Sequence, residues 1–107
     1  MIEGIAAKRW TVDEANAALG EVSALVSEAM TAWEAGDRAR VMAIVAQLAG
    51  HAVVLRDVES GLIDFVGVSP SGREYFLCWM WGEPEIDTWH WPEDGFAGRT
   101  PVATPPD

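Results

Sequence analysis

The sequence predicts an α+β fold, with an N-terminal antiparallel helical hairpin packed on a C-terminal antiparallel β-meander. Three observations carry this. Apolar residues from Val12 to Trp33 recur at steps of three and four, the period of one helix face. Gly36-Asp37 then interrupts the pattern with a helix-ending glycine and a helix-capping acid. From Gly61 the period drops to two, as in strands.

The first helix opens at Thr11, whose Thr11-Val12-Asp13-Glu14 is a capping box. Asp13 and Glu14 also place negative charge at the positive end of the helix dipole. The helix is expected from Val12 to Ala35, with Val12, Ala15, Leu19, Val22, Val26, Ala29 and Trp33 forming a heptad seam. The second helix begins near Arg38 and carries Val41, Ile44, Val45, Leu48 and Ala52 as its stripe. Gly50 either ends it, leaving Val53-Val54-Leu55 as a short fourth strand, or is tolerated within a longer helix at about 1 kcal/mol. The β-branched pair Val53-Val54 favours the break.

Leu62 to Val66 reads as a strand and Ser69-Pro70-Ser71-Gly72 as a turn. Arg73 to Trp81 is the longest strand expected. Tyr75, Leu77, Trp79 and Trp81 alternate with Phe76, Cys78 and Met80, so both of its faces must be covered. The helices cover one face; the C-terminal tail or a second subunit is needed for the other. Gly82-Glu83-Pro84 turns the chain into a third strand from Glu85 to Trp91, and Pro92 stops it. Residues 95–99 form a glycine-rich exit loop, and the tail from Thr100, with three prolines, is expected to be irregular. The expected organisation is therefore one domain over 1–107, with the helical hairpin at 11–56, the meander and exit loop at 61–99 and the tail at 100–107.

Composition narrows the function. A net charge of −10, from 17 acids and 7 scattered bases, argues against a nucleic-acid partner and disfavours an anionic membrane surface, both of which call for clustered Lys and Arg. A single cysteine excludes an intrachain disulfide and a cysteine-rich zinc site. The first ten residues have no signal-peptide pattern, and no apolar run approaches the ~20 residues of a membrane span. The expectation is a cytoplasmic protein.

Chemistry concentrates between Gly72 and Arg99, which holds Trp79, Trp81, Trp89, Trp91, Cys78 and His90. Asp64 interrupts an otherwise apolar strand, which is costly unless the carboxylate is paired. The candidate ligand-binding residues are Asp64, Glu83, Glu85, His90, Arg99 and Trp89. Asp64, Glu83 and His90 are also candidate ligands for a divalent metal such as Zn or Mn, ions suited to mixed carboxylate and imidazole donors. The alternatives are structural. Asp64 would pair with Arg99 or Arg73, His90 would be a hydrogen-bonded core residue, and the tryptophans would pack as cross-strand pairs. Cys78, flanked by Leu77 and Trp79, reads as an inert buried thiol.

Four segments, W-T-V-D-E-A-N-A-A-L, G-L-I-D-F, F-L-C-W-M-W-G-E-P-E-I-D-T-W-H and G-F-A-G-R-T-P, resemble the small prokaryotic proteins grouped as domain of unknown function 2203. The resemblance implies a prokaryotic source and a helical hairpin joined to a β-meander, and implies no activity. Two departures stand out: the helical hairpin is short, and Trp91 stands where the resemblance suggests a carboxylate after the Trp-His pair, which counts against a metal.

Three functions remain. The leading one is a small-ligand-binding domain with its polar site on the β-hairpin. The second is a homodimeric interaction module, suggested by the heptad seam and the second face of the long strand. The third is a metal-dependent enzyme. Convergence of Asp64, Glu83, Glu85, His90 and Arg99 on an open cavity favours a ligand or catalysis; mutual pairing without a cavity favours structure.

Overall fold

A computed structural model describes residues 7–107. Helix α1 spans Val12–Glu34 and α2 spans Arg38–Ala49. The capping box at Thr11 forms in both directions: the Glu14 amide donates to Thr11 Oγ1 at 3.1 Å, and the Thr11 amide donates to Glu14 Oε1 at 3.0 Å. Gly36 takes φ +73°, a conformation that suits glycine at the end of a helix. Asp37 then caps α2 by accepting from the Arg40 amide at 3.0 Å. These local interactions turn the chain back on itself and make the helices an antiparallel pair.

Helix α2 ends at Ala49, with Gly50 as its cap. The residue with positive φ is Ala52, at +57°, so the chain leaves the helix through a buried alanine rather than through Gly50. Five strands follow in one antiparallel sheet of order β1-β2-β3-β4-β5: β1 Val53–Asp57, β2 Leu62–Val68, β3 Glu74–Met80, β4 Thr88–His90 and β5 Thr100–Pro101. The α+β reading holds, with the fourth strand present as β1.

Two expectations change. The strand expected at Glu85–Trp91 shortens to three residues, because the Ile86 backbone is taken by a side chain from α1. Asn16 Oδ1 accepts from the Ile86 amide at 2.8 Å and Asn16 Nδ2 donates to the Ile86 carbonyl at 3.1 Å. The tail expected to be irregular contributes β5, with Thr100 opposite Trp89 and Pro101 opposite Thr88. Proline is tolerated there because an edge strand leaves one side of its backbone unpaired.

The sheet has two distinct faces. Val53, Ile63, Phe65, Tyr75, Leu77, Trp79 and Trp89 form one core with Ala15, Val22, Val26, Ala29, Ile44 and Leu48 of the helices. Most of the α1 seam is therefore used within the chain, and Trp33 at its end is exposed. Gly67 lies opposite Tyr75, and a Cβ on it would lie 2.8 Å from the phenol ring. The ring fills that space and meets Trp89 edge-on at 5.8 Å. The opposite face carries Asp64, Val66, Phe76, Cys78 and His90, all buried. Among the described residues, no helix is long and apolar enough to cross a membrane.

Candidate functional site

The outer face of the sheet holds a cavity of about 410 Å³ lined by Arg56, Leu62, Asp64, Phe76, Cys78, His90, Pro92, Gly95 and Phe96. Strand register makes this grouping possible. Asp64 on β2 is directly opposite Cys78 on β3, and Phe76 on β3 is directly opposite His90 on β4. Adjacent strands are about 4.8 Å apart and His90 is offset from the level of Asp64 by two residues, so the two stand about 12 Å apart at the backbone. Their side chains arch over β3 and meet: Asp64 Oδ1 is 3.0 Å from His90 Nε2. The loop from Pro92 to Phe96 supplies the remaining wall.

Every strong polar atom of this pair is engaged. Arg56 Nε donates to Asp64 Oδ2 at 2.8 Å, and its guanidinium lies 4.7 Å from the centre of the Phe76 ring. His90 Nδ1 is 2.9 Å from the Trp91 carbonyl. A carbonyl only accepts, so Nδ1 carries a proton. Burial works to lower the His90 pKa, but the hydrogen bonds to Asp64 and to the Trp91 carbonyl, with the Asp64 charge, outweigh it, and the net shift is upward. Nδ1 faces a carbonyl and Nε2 a carboxylate oxygen, an arrangement that favours the protonated ring, and the Asp64 carboxylate lies between that ring and the Arg56 guanidinium. At 2% and 4% exposure for Asp64 and His90, such a pair is tolerated only because each charge is matched.

Cys78 lies beside this pair. Burial first, and the Asp64 charge next, push its thiol up to about 12, while Arg99 acts in the opposite direction. A thiol so protonated is a poor nucleophile, so its proximity to His90 does not amount to an activated cysteine.

The predicted residues divide. Asp64 and His90 meet in the cavity. Glu83 and Arg99 pair with each other next to it: Arg99 Nη2 donates to Glu83 Oε2 at 2.6 Å, and Glu83 Oε1 accepts from the Met80 amide at 2.8 Å. Both Glu83 oxygens are thus committed to holding the turn after β3. Glu85 is exposed and does not line the cavity. Trp89 belongs to the helix-facing core and donates from Nε1 to the Thr104 carbonyl at 2.8 Å. The partner of Asp64 is Arg56 rather than Arg99 or Arg73; Arg73 instead pairs with Glu93 and stacks 4.0 Å from the centre of the Trp91 ring. Arg56 and Cys78 are the polar cavity residues absent from the candidates the sequence offered. The alternation along β3 placed Cys78 on the outer face with Phe76, but nothing local pointed to Arg56.

Segments G-L-I-D-F, F-L-C-W-M-W-G-E-P-E-I-D-T-W-H and G-F-A-G-R-T-P supply nearly all of this face and the turn beside it. The family model for domain of unknown function 2203, described as "Uncharacterized conserved protein (DUF2203)", matches residues 34–102. No curated protein and no solved structure matches the chain. The matched span takes in the whole sheet and only the last residue of α1, and since it covers well over half of the sequence, the chain belongs to the domain of unknown function 2203 family.

Proposed function

We propose that this protein binds a small organic molecule in the cavity on the outer face of its sheet. The observation that carries the reading is the buried Asp64–His90 pair, held from the rim by the exposed Arg56 and set among Leu62, Phe76 and Phe96. Small-molecule sites are typically concave and mostly apolar, with a few fixed polar groups, and occupy roughly 300–1,000 Å³. Burying the Asp64–His90 pair is costly, and a bound ligand gives that pair a use. The fixed geometry also favours binding, because few side chains need ordering when the ligand arrives. The lone, buried Cys78 suits a reducing compartment, and the cytoplasm is the compartment this reading assigns.

Ligand-observed NMR with a fragment set of small aromatic and aliphatic acids, amides and alcohols tests the proposal. The expected result is saturation transfer to at least one chemical class in the native protein, lost in Leu62→Trp, which fills the cavity without touching the helix-facing core. Signals that survive Leu62→Trp unchanged, or no signal from any class, overturn it.

A further inference from the structure

The floor of the cavity gathers three kinds of metal-binding atom. A carboxylate oxygen of Asp64, the sulfur of Cys78 and a ring nitrogen of His90 all lie within 4.8 Å of one another, and all three residues are buried. We propose that these three side chains hold one divalent transition-metal ion of the zinc type, with its fourth position open to the cavity. The inference deepens the reading of the cavity as a ligand site, since the ion would provide the strongest polar contact for a molecule bound there.

The donor set selects the metal. One nitrogen, one sulfur and one oxygen suit borderline ions such as Zn²⁺ and Co²⁺, whereas Mg²⁺ and Ca²⁺ require oxygen donors throughout. Three protein ligands and an open position form the pattern of a zinc ion available to a substrate or water. The sequence had suggested Glu83 for this role. Its oxygens are already taken by the Met80 amide and Arg99, and Cys78 replaces it, brought opposite Asp64 by the β2–β3 register.

The surrounding contacts are those that orient metal ligands. His90 Nδ1 donates to the Trp91 carbonyl at 2.9 Å, which turns Nε2 toward Asp64 and Cys78. Arg56 Nε holds Asp64 Oδ2 at 2.8 Å, which leaves Oδ1 as the coordinating atom. Such outer contacts fix the tautomer and direction of first ligands. Two atoms bound tetrahedrally at about 2.0–2.1 Å stand about 3.3 Å apart; Asp64 Oδ1 and His90 Nε2 are 3.0 Å apart. The sulfur, within 4.8 Å of the other two atoms, then has to close in by at most about 1.2 Å, given a Zn–S bond of about 2.3 Å.

Charge also fits. A bound ion displaces the thiol proton outright, and the resulting thiolate and the Asp64 carboxylate together offset its two charges. Arg99 lies close enough for its charge to act on Cys78, and its Nη1 is a buried nitrogen with no hydrogen-bond partner among the described residues. Buried donors are rarely left unpaired. Cys78, once a thiolate, offers Arg99 a stronger acceptor than the thiol does.

The test uses full-length protein purified without an affinity tag, stripped with a chelator and titrated with Co²⁺ alone. The expected result is saturation at one equivalent, with the intense visible bands of a tetrahedral ion and a near-ultraviolet thiolate-to-cobalt band, both abolished by Zn²⁺. Cys78→Ser should lose the thiolate band while keeping the native circular dichroism. Arg56→Gln, which leaves all three ligands in place, should weaken cobalt affinity by roughly 10- to 100-fold. Absence of the thiolate band from the native protein, or a spectrum identical in Cys78→Ser, overturns the metal site. Fragment binding by the stripped protein without any cobalt spectrum overturns the metal alone; a cobalt spectrum with no fragment bound by the loaded or stripped protein overturns only the organic ligand.

Discussion

Asp64 and His90 sit on strands that are not neighbours, yet their side chains meet at 3.0 Å across the strand between them. The carboxylate is also held at 2.8 Å by Arg56. Removing it leaves His90 Nε2 without its acceptor and the Arg56 guanidinium without its ion-pair partner. Asp64→Ala is expected to lower unfolding stability by about 3–5 kcal/mol, read as a lower urea midpoint with unchanged slope. Replacing Arg56 by Gln should cost less, because that side chain is 35% exposed. Equal losses in the two variants would mean that Asp64 does not anchor the array.

Asn16 fastens the first helix to the segment before β4 through two hydrogen bonds to one residue, Ile86. Asn16→Ala would strand a half-buried amide and carbonyl together. A loss of about 2 kcal/mol is expected, with the Ile86 amide changing from slow to fast hydrogen exchange. Unaltered protection at Ile86 would show that the clamp is dispensable.

Gly67 leaves the space that the Tyr75 ring occupies, and an added methyl would lie 2.8 Å from that ring. The ring cannot withdraw freely, because Trp89 and Trp91 border it at 5.8 and 6.4 Å. Gly67→Ala is therefore expected to destabilise by about 1–3 kcal/mol, the usual cost of overpacking. Gly67→Ala combined with Tyr75→Leu should recover part of that loss; a double variant no better than the single one would place the strain in the backbone instead.

Burial raises the Tyr75 pKa above its ordinary value of 10.0. A folded-state pKa above the unfolded one means that the native state holds its proton longer. The stability linked to Tyr75 is complete below about pH 10 and is lost as pH rises through the folded value. Tyr75 is the sole tyrosine of the chain, so the tyrosinate absorbance band reports it directly. That band should appear in the native protein at higher pH than in urea, and a Tyr75→Phe variant should lose less stability on going to strongly alkaline pH. Coincident titration in native and unfolded protein would count against it.

The parts of the fold readable in sequence are those set by neighbours along the chain. Thr11 and Glu14 cap each other three residues apart, Gly36 and Asp37 close one helix and open the next, and Val53-Val54 marks the break after Gly50. The period of two along β3 separates Phe76 and Cys78 from Leu77 and Trp79. The site was only half legible because its contacts depend on register. Asp64 was visible as a charge in an apolar strand, but its partner Arg56 lies across a strand pairing interrupted by a bulge between Leu55 and Asp57. Cys78 read as filler because a lone thiol among apolar residues looks inert until Asp64 and His90 are placed beside it. Trp89 looked like a ligand contact, yet its register with Leu77 turns it toward the helices. Asn16 carried no local signal, since its partner is 70 residues away.

The Asn16 clamp has a consequence for dissecting the chain. Helix α1 lies almost wholly outside the matched span of 34–102, yet Ala15, Val22, Val26 and Ala29 close the inner core over Ile63, Phe65 and Leu77. Cleavage at the exposed Gly36-Asp37 link would give two pieces, neither able to bury its own apolar surface. The larger one alone should self-associate. Mixing it with a peptide spanning residues 7–35 should restore a protease-resistant complex, reassembled by complementation across the same amide and carbonyl that Asn16 holds.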